Sequence, residues 1–104
     1  MGKINWSITA LKNLEDVAEF IALDSLFYAL DFTEKILSQV STLKGFPRRG
    51  RVVPEFKKNN IRELIYQNYR IVYKIKRADL YIVSITHGTM DILKKAKKES
   101  WEIG

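Results

Sequence analysis

Two alternating segments around a short polar turn constrain this sequence more than any other feature. Over Ile61–Tyr66 and again over Tyr69–Lys76, apolar and polar residues alternate with the period of two that is typical of β-strands. Gln67 and Asn68 lie between them and fit a two-residue hairpin turn, where Asn suits the positive φ that such turns need. The sequence therefore predicts an antiparallel hairpin here.

The second of these segments assigns the faces of the sheet. Ile71, Tyr73 and Ile75 share one face, whereas Arg70 and Lys74 share the other with Val72. A further run, residues 80–87, is more uniformly apolar, which predicts a strand in the interior of the sheet. If helices cover the apolar face, Arg70 and Lys74 are expected to point towards solvent on an uncovered face.

The N-terminal part of the chain predicts a strand and two helices. Residues 3–8 alternate as a strand, with Thr9 as the helix cap that follows. Apolar residues then recur at helical spacing over 10–21, with Asn13 facing water, and again from a cap at Asp24 or Ser25 to about Leu43. Residues 45–54 read as a loop.

Two helices joined by so short a connection form an antiparallel helical hairpin. A short last helix over residues 92–101, capped by Thr89 or Asp91, carries four lysines. The fold class is α+β: a two-layer domain spanning residues 1–104, with the helical hairpin packed on a mostly antiparallel sheet. The aromatic residues of the hairpin form a stripe wider than one contact needs, so some are core and others are candidates for a partner's groove: Phe20, Phe27, Tyr28 and Phe32.

Composition narrows the possible functions. The 104 residues include no Cys and one His, so we expect neither a metal site nor a cofactor, and no apolar run is long enough to span a membrane. A cytoplasmic protein is the expectation. The net charge of +6 is concentrated in residues 45–104, which carry fourteen Lys or Arg against six acids. Clustered cations sum their fields, so a polyanion or an acidic protein is the favoured partner.

The candidate binding residues are the cations of this basic half. They lie in the loop before the predicted β-hairpin and on its two strands: Arg48, Arg49, Arg51, Lys57, Lys58, Arg62, Arg70 and Lys74. Arginine offers a bidentate fork to phosphate oxygens. The structural alternative is that Arg70 pairs with Glu63 across the hairpin. Glu55 and His87 are the conventional proton-transfer groups near this surface, and no standard catalytic motif is present.

Taken together, several short segments resemble the RelE/ParE superfamily of toxins from type II toxin–antitoxin modules. They are the early strand with Trp6, the helical hairpin, Gly50–Glu55, Ile61–Leu64, Tyr69–Ile75, and the strand ending in His87 and Gly88. The resemblance covers nearly the whole chain and implies the same two-layer fold. It also implies growth inhibition that a cognate antitoxin neutralises by wrapping the toxin, which gives Phe20, Phe27 and Tyr28 a candidate role in antitoxin binding.

The subgroups of this superfamily imply different targets. ParE-like members poison DNA gyrase, and the segments around Glu55, Ile61 and His87 look more like this side. RelE-like members cut messenger RNA on the ribosome; by resemblance, Glu55 would be the general base, Arg70 would stabilise the phosphate charge and His87 would protonate the leaving oxygen. Met90 stands where related sequences commonly carry arginine, which leaves an attenuated, non-catalytic binding protein as a third hypothesis.

Overall fold

In the computed structural model, which describes residues 2–102, two helices pack on one face of a five-stranded sheet. The strand order is β1-β5-β4-β3-β2, with β1 parallel to β5 and every other neighbouring pair antiparallel. The predicted α+β class is confirmed. In chain order the elements are β1 (Ile4–Trp6), α1 (Ile8–Ala22), α2 (Leu26–Ser41), a 3₁₀ turn (Thr42–Lys44), β2 (Arg51–Val52), β3 (Ile61–Tyr66), β4 (Tyr69–Lys76), β5 (Asp79–His87) and α3 (Ile92–Lys98).

The central hairpin has the predicted boundaries. Strands β3 and β4 pair from Ile61 opposite Lys74 to Tyr66 opposite Tyr69. The turn differs from expectation in one respect, because Gln67 takes the positive φ (52°) and Asn68 does not. A positive φ at the first turn position is enough to reverse the chain with the twist that the two strands require. The β5 strand lies between β1 and β4 and is an interior strand, as predicted.

The first helix begins earlier than the sequence predicts. Ser7, not Thr9, is the N-cap, and its Oγ accepts a hydrogen bond from the Ala10 amide (2.9 Å). The same hydroxyl donates to the Val83 carbonyl (3.1 Å), so Ser7 ends β1 and starts α1 at once. The predicted strand is consequently cut to three residues, and Ile8 lies exposed on the helix. The second helix is capped by Ser25, one of the two predicted residues.

Asn13 is buried, although the helical pattern predicts that it faces water. Strand β1 pairs with β5 only as far as Ile82, so the rest of that edge of β5 has no neighbouring strand. Asn13 compensates for the missing strand: its Oδ1 accepts from the Ile85 amide (3.1 Å) and from Ser84 Oγ (2.7 Å). Its Nδ2 donates to Glu99 (3.1 Å), which ties the end of α3 to α1. A buried amide is stable here because its partners are present.

The sheet has an apolar core on each face. The larger core lies under the helical hairpin and includes Phe32, Ile36, Ile71 and Tyr73, as the alternation predicts. The opposite face is not uncovered as we expected. A smaller core packs there between the sheet, the segment after β2 and α3, and it contains Val53, Ile61, Val72, Val83 and Ile92, with Phe56 and Trp101 at its border.

The C-terminal segment covers this second face. Asp91 caps α3, accepting hydrogen bonds from the Leu93 and Lys94 amides, and the helix ends at Lys98, three residues before the predicted end. Trp101 lies beyond the helix, with its ring 6.1 Å from that of Phe56. Within residues 2–102, no helix is both long and apolar enough to cross a membrane.

Gly50 generates a stability prediction because a Cβ atom at this position would lie 2.6 Å from the Glu63 carbonyl and 2.7 Å from the Tyr73 hydroxyl. Gly50→Ala is expected to lower the free energy of unfolding by about 1–3 kcal/mol, since neither neighbour can move away freely. Gly45→Ala is the matched control, because nothing lies within 4 Å of a Cβ atom there. Urea unfolding followed by circular dichroism measures both, and equal effects would contradict the prediction.

Candidate functional site: a cationic surface on a buried ion network

The cationic segment between α2 and β3 is held against the sheet by Tyr73. This buried side chain donates its hydroxyl proton to the Pro47 carbonyl (2.7 Å) and accepts from the Gly50 amide (3.0 Å). Burial raises the pKa of Tyr73, so the hydroxyl stays protonated and remains a donor. The predicted loop of residues 45–54 also contains strand β2, in which Arg51 pairs with Glu63. The arginines of this segment therefore lie at fixed positions beside the sheet.

Glu63 is the centre of an ion network that joins three parts of the chain. Its carboxylate is buried and accepts from Arg51 Nε (2.6 Å) on one oxygen and from Arg70 Nε (2.5 Å) on the other. The two terminal nitrogens of Arg70 form a bidentate pair with Glu55 (2.7 and 2.9 Å). Two cations and two anions alternate, so the network has no net charge. Within it, β2, β3, β4 and the segment after β2 are tied together.

The network changes the protonation of its members. The hydrogen bond from Arg70 lowers the pKa of Glu55, against an opposing effect of partial burial. The hydrogen bond that Arg70 donates to Glu55 likewise raises the pKa of Arg70, so this guanidinium is permanently charged. Two residues predicted as parts of a catalytic site are therefore bound directly to each other. Arg70, which the sequence predicted to point towards solvent, is buried because two carboxylates neutralise it.

Several of the other predicted cations hold the protein together. Arg62 donates to the Gly50 carbonyl (2.9 Å) and to the backbone and side-chain oxygens of Asn59 (2.9 and 2.7 Å). It therefore links the residue before β2 to a residue shortly before β3. Arg49 donates to Gln39 and Thr42 on the last turns of the helical hairpin (both 3.1 Å).

The remaining predicted cations lie on two different surfaces. The exposed ones near β2 are Arg48, Arg51, Lys57 and Lys58. Lys74 is separate from them, because its Nζ donates to the Glu102 carbonyl (3.1 Å) beside Trp101 on the second face.

His87 ends β5 and is oriented by two neighbours. Its ring stands perpendicular to that of Tyr69, with centroids 5.2 Å apart. Its Nδ1 accepts from the Thr89 amide (3.2 Å) and lies 2.7 Å from the Thr89 hydroxyl, so in the neutral ring the proton is on Nε2. Arg51, Arg70 and His87 line one shallow cavity of about 430 Å³. Glu55 does not line it, since Arg70 holds that carboxylate elsewhere.

A second feature is the apolar tip of the helical hairpin. Of the aromatic residues named from the sequence, Phe32 is buried in the core, whereas Phe20, Phe27 and Tyr28 are 71%, 73% and 63% exposed. Leu26 and Leu30 also fit the helical period of the second helix, but both are exposed. The inward side of α2 is instead a row of four residues spaced three or four apart: Ala29, Phe32, Ile36 and Val40. This spacing is the sequence signal that identifies the buried side of the helix.

We define the hairpin tip as the six large, exposed apolar side chains around the α1–α2 connection: Phe20, Leu23, Leu26, Phe27, Tyr28 and Leu30. Large exposed apolar patches mark interaction surfaces. Among residues 2–102, no group of His, Asp or Glu side chains is arranged to hold a metal ion. The described residues thus form a small two-layer fold with an exposed apolar surface, an exposed basic surface and a cluster of paired charges between the strands.

Comparison with known proteins agrees with this class. The family described as "ParE toxin of type II toxin-antitoxin system, parDE" matches residues 4–92, and the chain belongs to this family. It is therefore a toxin of a type II toxin–antitoxin system, with an antitoxin as its partner. No curated protein sequence matches it.

Among solved structures, the chain is similar to one titled "Chromosomal ParDE TA system from P. aeruginosa", with a TM-score of 0.70 at 20% identity. The match covers 84% of this chain and 96% of the other. At this identity the likeness supports the fold.

The Glu55–Arg70 pair predicts a specific acid sensitivity. Because the folded pKa of Glu55 is lowered, its contribution to stability is complete above the unfolded carboxyl pKa of about 4.3 and is lost as the pH falls through the folded value. Glu55→Gln should cost about 1 kcal/mol at pH 7, since the carboxylate is partly exposed, and little at pH 2–3. The measurement is urea unfolding of both proteins from pH 2 to pH 7.

Glu102→Gln is the control, because no ion pair of that side chain is found within residues 2–102. A Glu55→Gln deficit that stays constant down to pH 2 would contradict the assignment of the shift to Arg70.

Proposed function

We propose that this toxin inhibits DNA gyrase by binding it through the exposed cations around β2, and that it does not cleave RNA. One observation carries the proposal: the bidentate pair between Glu55 and Arg70, which removes both groups from use on a substrate. The alternative, ribosome-dependent cleavage of messenger RNA, needs Glu55 as a base and Arg70 as a free cation. Gyrase acts on chromosomal DNA, so the proposed site of action is the cytoplasm.

The protonation of Glu55 supports inhibition by binding. A general base works best when its pKa lies near the working pH. Arg70 shifts the pKa of Glu55 in the opposite direction, which makes the carboxylate a weaker base. Arg70 is also paired with Glu63, so its charge is already balanced before any phosphate approaches. Stabilisation of developing charge is usually the largest contribution to catalysis by such a site. The Arg70 guanidinium, already paired with two carboxylates, would contribute little to it.

The proposed gyrase-binding surface consists of the exposed cations on and beside β2. Arg48, Arg51, Lys57 and Lys58 are exposed there, and Arg49 lies beside them with contacts to the helical hairpin. Arg62 supports the surface from below by holding the Gly50 carbonyl. Exposed charges of one sign steer association with a partner of opposite charge and fix its orientation. Lys74 lies on the second face and is proposed only as a secondary contact.

The proposed antitoxin contact is the hairpin tip. Phe20, Phe27 and Tyr28 are exposed, and the rings of Phe27 and Tyr28 stand edge to face at 5.8 Å. Aromatic anchors of this kind dominate the energy of protein interfaces when a partner desolvates them. The tip and the cations around β2 belong to different parts of the fold, so the antitoxin and the target have separate primary contacts.

Purified toxin and purified gyrase test the proposed target. The wild type should block supercoiling of relaxed plasmid, and Arg48→Glu/Lys57→Glu should weaken inhibition by about tenfold or more, since two attractive contacts become repulsive. Lys12→Glu/Lys35→Glu is the matched control, because it makes the same charge change on the helical hairpin, and it should inhibit like the wild type. Full inhibition by Arg48→Glu/Lys57→Glu would contradict the assigned surface.

Induction in cells separates the two targets. Under the proposal, messenger RNA stays intact while DNA damage signalling rises, and His87→Ala remains toxic. Codon-positioned cuts in messenger RNA within minutes of induction, together with loss of toxicity in His87→Ala, would establish the ribonuclease alternative instead. Normal growth after induction of soluble, folded protein would indicate the attenuated binding protein.

A further inference from the structure

The charge around the hairpin tip is opposite to the charge of the rest of the molecule. Residues 13–34 include six Asp or Glu and no Lys, Arg or His, although the whole chain has a net charge of +6. The same stretch supplies all six exposed apolar side chains of the tip. The tip is therefore both apolar and anionic, whereas fourteen of the eighteen Lys and Arg residues lie in residues 45–104.

Helical spacing places the acids beside the apolar anchors. Residues four apart on a helix are neighbours on its surface. Glu19 is four residues from Leu23, and Asp31 and Glu34 are four residues from Phe27 and Leu30 respectively, all of them exposed. Two cations border this stretch: Lys35 lies 3.8 Å from Asp31, and Lys12 lies 3.0 Å from Asp16. Both pairs are exposed, so they offset these charges only weakly.

This arrangement determines which partners fit the tip. A polyanion or an anionic membrane surface is repelled, and so is a strongly acidic peptide, because like charges across an interface cost free energy. An apolar segment alone would leave the carboxylates beside it without partners as it removes water from them. A segment that alternates apolar anchors with Lys or Arg can cover the apolar side chains of the tip and also pair with the carboxylates beside them.

We propose that the hairpin tip binds a cationic amphipathic segment of the antitoxin, one in which Lys or Arg residues flank apolar anchors. The proposal rests on the proposed function for the identity of the partner and goes beyond it in chemistry. It predicts that the antitoxin segment on this surface is locally basic even where the antitoxin as a whole is acidic. Acidic segments of the antitoxin would instead fit the cations of the basic half.

Two synthetic peptides test the chemistry of the tip without requiring the natural antitoxin. Both are 18 residues long and have Leu at the helical spacing i, i+3, i+4 and i+7. All remaining positions are Lys in one peptide and Glu in the other. Binding to the full-length toxin is measured by fluorescence anisotropy at 50 mM and 300 mM salt. Because the Glu peptide can also bind the cations of the basic half, the comparison is restricted to the binding that Phe27→Ser weakens. For that binding the Lys peptide should be at least about fivefold tighter than the Glu peptide, and the difference should shrink at high salt.

Variants assign the binding to the tip. Phe27→Ser should weaken binding of the Lys peptide, because it removes an exposed anchor without opening the core. Asp31→Asn/Glu34→Gln should lower the preference for the Lys peptide, whereas Asp79→Asn/Glu102→Gln changes net charge equally at sites outside residues 13–34 and should leave the preference intact. Circular dichroism confirms that each variant is folded.

The outcomes separate this proposal from the proposed function. Lys-peptide binding that Phe27→Ser leaves unchanged, no binding of the Lys peptide, or a preference that survives Asp31→Asn/Glu34→Gln would each overturn the cationic-segment proposal. None of these results bears on gyrase inhibition, which the supercoiling assay measures independently. If the Lys peptide binds at the tip but the toxin leaves gyrase active, the surface chemistry stands and the proposed target fails.

Discussion

The buried carboxylate of Glu63 is the interaction on which the rest of the structure depends. It is fully enclosed, and it is tolerated because Arg51 and Arg70 each donate to one of its oxygens. Burying a charge without partners would cost several kcal/mol, and removal of either arginine leaves one oxygen of this buried carboxylate without its donor. Through these two arginines the two-residue strand β2 and the segment after it are held to the central hairpin, and this attachment positions the cationic surface.

The same network holds residues of catalytic type in a structural arrangement. Glu55 and Arg70 have the residue types of a ribonuclease centre, but here Arg70 is paired with both Glu55 and Glu63. Under the proposed function, binding depends on the side chains that remain exposed: cations around β2 and an apolar, anionic tip on the helical hairpin. The two surfaces are opposite in charge, so we expect them to select different partners.

The spacing of apolar residues along the chain predicted the elements formed by residues close in sequence. The β3–β4 hairpin and the helical hairpin follow from spacing alone, and the faces of Ile71 and Tyr73 follow from alternation. Asn13 was predicted wrongly because its burial depends on where β1 stops pairing with β5, which is a tertiary fact. The second core was missed because Val53, Val83 and Ile92 come from three separate segments that share no period. The Glu55–Arg70 contact was likewise not predicted, because the position of Glu55 depends on the pairing of β2 with the edge of the sheet.

A double-mutant cycle between Glu63 and Arg70 tests the structural role of this network most directly. The free energy of unfolding is measured for Glu63→Met, Arg70→Met and the double variant, with growth inhibition measured alongside. Each single change is expected to cost about 3 kcal/mol or more, and the double change less than the sum by about 2 kcal/mol, because the apolar pair leaves no buried charge between them. Growth inhibition by the folded double variant should be weaker than that by the wild type, because β2 and its cations are no longer held to the central hairpin. Additive costs, or a double variant that inhibits growth as strongly as the wild type, would contradict the account.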